Sequence, residues 1–222
     1  MQGDKGGLVT VVDAPTQVAI RLELPCSPVC DKFTGPLFLQ MSGGKFDEVA
    51  AMPLLPVEEW AATHRTARKR ANRCERLGYT FAEVKRELYS DDLFEINTSA
   101  EERQGRPMSD SYTRHYQYSP LPRYECDRHQ VRTYGVLLED KLVAYLWLYV
   151  AGQLRLCSSI IGHAAHLYNG IMYLLFRGMV EAEHDRDPDG IVMYHRWDNG
   201  QDGLRFYKER VGLTETAVGW LA

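Results

Sequence analysis

Cysteine is scarce in this 222-residue chain: there are five, an odd number. That is too few to staple a chain of this length with disulfides, and it points to a reducing compartment. Long apolar runs are missing too. The longest apolar-leaning stretch, Val143 to Val150, is far short of the roughly 18 residues that cross a bilayer. The first residues, MQGDKGGLVTVV, lack a cationic segment followed by an apolar one of signal length. The expectation is a soluble cytoplasmic protein with no membrane partner. Neither sign of charge dominates, since 26 basic residues face 30 acidic ones for a net −4. Any site for a polyanion must therefore be a local patch. The sequence has no G-x-S-x-G elbow, Walker loop, H-E-x-x-H or dinucleotide motif, which argues against the familiar hydrolases, nucleotidases, metalloproteases and dehydrogenases.

What is present is ordinary globular material, 45% apolar and 25% charged, enough for one large domain or two small ones. Residues 8–41 alternate as short strands (LVTVV, VAIRLEL, LFLQM), and 42–56 read as a connector with at most one helical turn. A helix is expected from Val57 to Leu77, ended by Gly78, then a strand at TFAEV and a helix from Leu88 to Glu102. Residues 107–130 read as loop. YGVLLEDKLVAYLWLYVAGQLRLCSSII predicts three antiparallel strands with turns at LEDKL and AGQ. A helix over 167–183, the strand GIVMYHRW, a DNGQD turn, the helix GLRFYKER and a strand from Leu213 to Trp220 complete the chain. The expected fold class is α+β, a mostly antiparallel sheet flanked by helices. Residues 1–56 form an amino-terminal segment and 57–222 the main domain.

Several groups of residues carry possible chemistry. Arg65, Arg68, Lys69, Arg70, Arg73 and Arg76 place six cations in twelve residues. Arg65, Lys69, Arg73 and Arg76 share one helical face, which can neutralise phosphates or simply be solvated. In RQGRP, Arg103 and Arg106 flank Gly105; they can grip a carboxylate or phosphate, or Arg103 can cap the preceding helix. His163 and His166, with Tyr168 close by, offer a general base or two hydrogen-bonded loop histidines. Cys26, Cys30, Cys126 and His129 make a weak zinc-type set without distinctive spacing. Cys74, Cys157 and Phe206 read as core.

The element order of the carboxy-terminal half resembles the GNAT acyltransferase fold. HRTARKRANRCERLGYTFAEV, the acidic and aromatic helix after it, and TSAEERQGRP are similar to Fem-type peptidyltransferases. The basic run and the ending GLRFYKERVG, residues 203–212, resemble aminoacyl-tRNA–protein transferases. The resemblance spans roughly residues 57–215. It implies that YHRWDNG borders the opening where donor and acceptor meet, so Tyr194, His195 and Asn199 become candidates for acid–base work or substrate orientation, with DNG alternatively a plain turn. Period-2 alternation puts Tyr194 and Arg196 on one face and His195 and Trp197 on the other. The resemblance also implies an oxyanion or phosphate role for Lys208, alternatively a solvent-exposed lysine. Asn97, upstream of RQGRP, and Tyr168, beside the two histidines, are further candidates for substrate binding. The pyrophosphate loop of acetyl-CoA-dependent relatives is replaced here by GHAAHLYNG, with no closely spaced glycines and no arginine.

These readings converge on an acyltransferase. It would move an acyl or aminoacyl group from aminoacyl-tRNA or acetyl-CoA to an unidentified amine by direct attack, with no tightly bound cofactor. His163, His166 or His195 would be the base, Tyr194 or Lys208 the oxyanion donor, and the 64–76 helix the site for tRNA or another nucleic acid. Three alternatives stay open: a CoA-dependent N-acetyltransferase with an atypical loop, an enzyme acting on nucleic-acid bases, and a non-catalytic nucleic-acid-binding module.

Overall fold

A computed structural model describes residues 16–21, 47–122, 128–197 and 202–221. Its frame is an eight-stranded sheet: β1 (Thr16–Arg21), β2 (Asp47–Pro53), β3 (Tyr79–Glu83), β6 (His129–Leu138), β7 (Lys141–Ala151), β8 (Leu154–Gly162), β9 (Ile191–Arg196) and β10 (Thr214–Leu221). The spatial order is β1-β10-β2-β9-β8-β7-β6-β3. Two neighbouring pairs are parallel, β1 with β10 and β8 with β9. A separate hairpin joins β4 (Glu102–Arg103) to β5 (Arg106–Pro107). The helices are α1 (Val57–Thr63), α2 (Arg65–Arg76), α3 (Ser90–Thr98), α4 (Ile171–Arg186) and α5 (Asp202–Val211).

The helices take opposite faces because of where their apolar stripes fall. On one face α1, α2, α4 and α5 enclose the main core around Trp60, Phe176, Leu146 and Leu148. In α2 that stripe is Ala67, Ala71 and Cys74, at i, i+4 and i+7. On the other face α3 lays Leu93 and Ile96 against Leu142 and Tyr145. Gly178 lets α4 approach β3 closely, since a Cβ there would lie 2.3 Å from the Phe81 ring.

The antiparallel meander β6–β7–β8 forms as its alternation predicts, although β6 begins at His129 within the expected loop. Other expectations need correction. The single helix over 57–77 is two helices broken at His64, whose ring packs against Gly212 in a space a Cβ would fill. The connector over 42–56 contains β2, because Val49–Met52 are buried between β10 and β9 and pairing on both sides overrides weak strand propensity. The helix over 88–102 ends at Thr98, where Ser99 Oγ and Arg103 Nη2 both donate to the Ile96 carbonyl. The helix over 167–183 is a 3-10 stretch, Ala164–Asn169, then α4, with left-handed Gly170 between them. LVTVV, LFLQM and the DNGQD turn fall outside the described residues, apart from Asp202 at the start of α5.

One polar cluster is sealed into this frame. Glu183 of α4 is fully buried and accepts from Arg132 Nη1 at 2.7 and 2.6 Å, from Arg155 Nε at 3.0 Å and from Tyr134 Oη. Arg155 also reaches Asp187 at 2.6 Å, and Arg186 joins Tyr134 to Glu83. Burial, with the Glu183 charge beside it, pushes the Tyr134 hydroxyl far up. Removing one partner of such a cluster leaves buried charge uncompensated. Glu183→Gln is expected to cost about 3–5 kcal/mol, read from urea unfolding. A second test is Gly178→Ala, where the new methyl meets Phe81; overpacking of this kind costs about 1–3 kcal/mol in the same measurement.

Candidate functional site

β8 and β9 pair only at their starts, Leu154–Leu156 against Ile191–Met193. Beyond that each strand follows its outer neighbour. The end of β8 stays with β7, Gly162 opposite Ala144, and the end of β9 stays with β2, Arg196 opposite Val49. The sheet therefore splits into a V. A bulge against β7 makes Ser158 an extra residue, so that Ser158, Ile160 and Gly162 turn their backbone groups to the open edge. The occupants of that edge agree: Arg103 Nη1 donates to the Gly162 carbonyl at 2.9 Å, and His195 hydrogen-bonds with the Ser158 backbone. Ile160 lies between them, its amide and carbonyl aimed where an extended ligand would add as a strand.

The V holds a cleft of about 400 Å³. Its walls are Ile160, Ile161 and Gly162 of β8, Leu167 and Met172 beyond it, Tyr194 of β9, Leu204 and Tyr207 of α5, and Glu102–Gln104 of the hairpin. Tyr194 is buried and hydrogen-bonded to the Gln104 side chain; burial, the leading cause, pushes its pKa up to about 12. A neutral phenol is thus available as a donor at neutral pH. Tyr207 is spoken for by the Met172 carbonyl at 3.0 Å.

Arg103 and Tyr194 are therefore brought to the cleft wall, and His195 sits beside it. The strict alternation expected for β9 fails at His195, which has φ +53°, a left-handed conformation uncommon outside glycine. Two residues, Tyr194 and His195, oppose the single Ala50 of β2, and the bulge leaves His195 and Arg196 exposed with Trp197 buried. Partial burial lowers the His195 pKa, the Lys208 ammonium lowers it further, and the Ser158 hydrogen bond opposes both. The imidazole is neutral at pH 7 and able to take a proton.

The other expected site residues lie elsewhere. Lys208 is not solvent-exposed: it is fully buried and donates to the carbonyls of Arg196 at 2.6 Å and Trp197 at 3.4 Å, fastening α5 to the end of β9. Phe206 is not core, being 50% exposed beneath the Arg210 guanidinium. Asn97 is buried on α3 and accepts from Tyr145 Oη at 2.8 Å, off the cleft wall. His166 faces β3, and the His163 ring lies edge-on to the His166 ring, 5.2 Å between centres. His166 Nδ1 pairs with Tyr79 Oη at 2.7 Å, and Asn169 donates to the same hydroxyl at 2.9 Å. Arg106 is exposed in β5. Cys74 and Cys157 are buried as expected. Asn199, Cys26, Cys30 and Cys126 fall outside the described residues, and His129 is buried at the start of β6. Among the described residues no three His, Cys, Asp or Glu side chains cluster for a metal ion. No helix there is long and apolar enough to cross a membrane.

The basic face of α2 lies next to the segment that links β8 to α4. Arg65, Lys69, Arg70, Arg73 and Arg76 are exposed, and among the described residues none of the six cations of α2 is in an ion pair. Arg73 stacks on Tyr168, 4.9 Å from the ring centre, and Tyr168 is 75% exposed. The linking segment itself is closed. The amides of residues 163–166 already bond Val143 O, Ser99 Oγ, His163 Nδ1 and His163 O. Met172, Ile171 and Leu167 crowd Gly162, lying 2.6–3.0 Å from where its Cβ would be.

This split sheet is that of the GNAT fold. No family profile and no curated protein matches the sequence. Solved structures do match in fold. One is the carboxy-terminal domain of a candidate lysylphosphatidylglycerol synthetase from Agrobacterium fabrum, at 16% identity and TM-score 0.51, aligned over 77% of this chain and 58% of that one. Another is a conserved protein of unknown function from Bacteroides thetaiotaomicron, at 12% identity and TM-score 0.50, over 84% and 66%. A GCN5-related N-acetyltransferase from Kribbella flavida aligns over 78% and 55%, at 13% identity and TM-score 0.43. The chain thus spans less than two thirds of the length of each.

The His195 environment gives a test of sign. Lys208→Met removes a cation that lowers the imidazole pKa, so the value should rise, as followed by proton NMR of the ring. In the unaltered protein the folded value lies below the 6.5 of a free histidine. The stability tied to His195 is therefore full above that pH and falls away as the medium is acidified through the folded value.

Proposed function

We propose that the protein is an acyltransferase of the aminoacyl-transferring kind, with the V between β8 and β9 as its reaction cleft. The observation that carries this reading is the three-residue pairing of β8 with β9, which leaves a strand edge open beside an apolar wall. An acyl group extended along that edge can hydrogen-bond to Ile160. Its carbonyl lies near the hydroxyl of Tyr194, a donor suited to the oxyanion that forms when an amine attacks. His195, neutral and at the mouth, takes the proton the amine loses. A C–N bond forms as the acyl C–O or C–S bond breaks, the leaving hydroxyl or thiol takes up the proton that His195 accepted, and positioning supplies most of the acceleration.

Two features favour an RNA-linked ester over acyl-CoA as donor. The amides that would cradle a pyrophosphate are occupied and the space at Gly162 is filled, whereas α2 offers cations without carboxylate partners among the described residues. A relative whose name joins a lysyl group to phosphatidylglycerol is consistent with aminoacyl transfer on this fold. A Fem-type relationship and a tRNA partner on α2 belong to the same proposal.

Calorimetric titration with acetyl-CoA at low salt is expected to show no saturable binding; micromolar binding would overturn the donor assignment. Binding of charged tRNA should weaken as salt rises. Arg73→Glu should lower the affinity and flatten the log–log salt slope by about 1, the signature of a lost phosphate contact. An unchanged slope would make the basic face a solvated surface.

A further inference from the structure

Arg103 stands out among the cleft residues because its charge has no counter-ion among the described residues. Its guanidinium donates to the carbonyls of Gly162 and Ile96 and to Ser99 Oγ, all neutral acceptors, at 2.7–2.9 Å. Among the described residues no carboxylate lies within ion-pairing distance of it. Three hydrogen bonds leave two of the five guanidinium N–H groups, and one of these, Nε–H, is enclosed without an acceptor. Burial pulls the Arg103 pKa down, as expected of a cation lacking its partner. The more deeply buried Arg132 and Arg155, by contrast, face Glu183 or Asp187. A cation without an ion-pair partner on a largely apolar wall is what a site for an anion looks like before the anion arrives.

The rest of the wall narrows the choice. Ile160, Ile161, Leu167, Met172 and Leu204 demand an apolar group, and Glu102, on the same lining, offers a charge of the opposite sign. A single guanidinium balances one negative charge, which suits a carboxylate monoanion and under-compensates a phosphate dianion; with both Nη2 donors spent, the contact is made through the second N–H of Nη1.

We propose that the cleft binds an α-amino acid, or a short peptide ending in one, with an apolar side chain, and that Arg103 is the counter-ion for its carboxylate. That this molecule supplies the attacking amine rests on reading the cleft as a transfer site; that it binds there does not.

The experiment is titration calorimetry of the whole protein with leucine, leucinamide and isobutyl phosphate. Leucine and leucinamide differ only in the carboxylate. A charge-assisted contact predicts that leucine binds about ten- to a hundredfold more tightly than leucinamide. Arg103→Gln should abolish that preference, and Ser99→Ala, which leaves the cation in place, should keep it. Should Arg103→Gln not fold, the unaltered protein still decides the question: leucine should shift the Arg103 guanidinium resonance, through the Nη1 N–H that the Gly162 carbonyl leaves over, and leucinamide should not. Equal affinities, no binding of leucine at millimolar concentration, tighter binding of isobutyl phosphate, or an unmoved resonance would each overturn the proposal. Leucine binding without any transfer from acetyl-CoA or charged tRNA would remove the transfer reading and leave this site standing.

Discussion

The fold hangs on Glu183. Its carboxylate holds Arg132 of β6, Arg155 of β8 and Tyr134 of β6 against α4, and Arg155 in turn holds Asp187 just before β9 begins. Arg155 is itself one of the three β8 residues that pair with β9. The charge cluster thus clamps the closed end of the V. Gly190 adds to this by letting Leu54 and the Arg155 guanidinium pack where a Cβ would intrude, 2.6 and 3.3 Å away. With one end clamped and each strand bound to a different outer neighbour, the far ends must part. The cleft is the geometric result of where the ion pairs are.

At the open end, polar groups hold the two arms apart. Arg103 ties the hairpin and α3 to the end of β8, and Lys208 ties α5 to the end of β9. Both cations spend hydrogen bonds on backbone carbonyls. They differ in what surrounds them: Lys208 sits deep beneath Tyr194, while Arg103 borders the cleft with an Nη1 N–H to spare. One is a fastening, the other a fastening that can also meet a ligand.

Much of this architecture was legible from periodicity. The meander β6–β8 announces itself by alternation and its turns, and Gly78 ends α2 with φ +89° as a helix-stopping glycine should. What escaped depends on partners distant in the chain. β2 reads as a connector because its strand character comes from β9 and β10. The left-handed His195 follows from a bulge whose register is set by β2. The cluster around Glu183 left only a faint trace, charged residues at buried positions of apolar elements. At the cleft, the RQGRP motif points to Arg103, and the family resemblance to Tyr194 and His195. The sequence also offered His163, His166, Asn97 and Lys208, whose partners are structural, because residue type alone does not say which face of a loop or helix meets the cleft.

The two sets of charge in this molecule live in different media. The Glu183 cluster is enclosed, where dissolved ions do not reach, whereas the α2 cations stand in water within about 10 Å or less of their screening atmosphere at ordinary ionic strength. Raising the salt concentration therefore dims one and leaves the other untouched. The protein has, in effect, a surface that can be electrically switched off while its skeleton stays rigid, so a polyanion held on α2, as proposed, would be released by brine from a chain that remains folded.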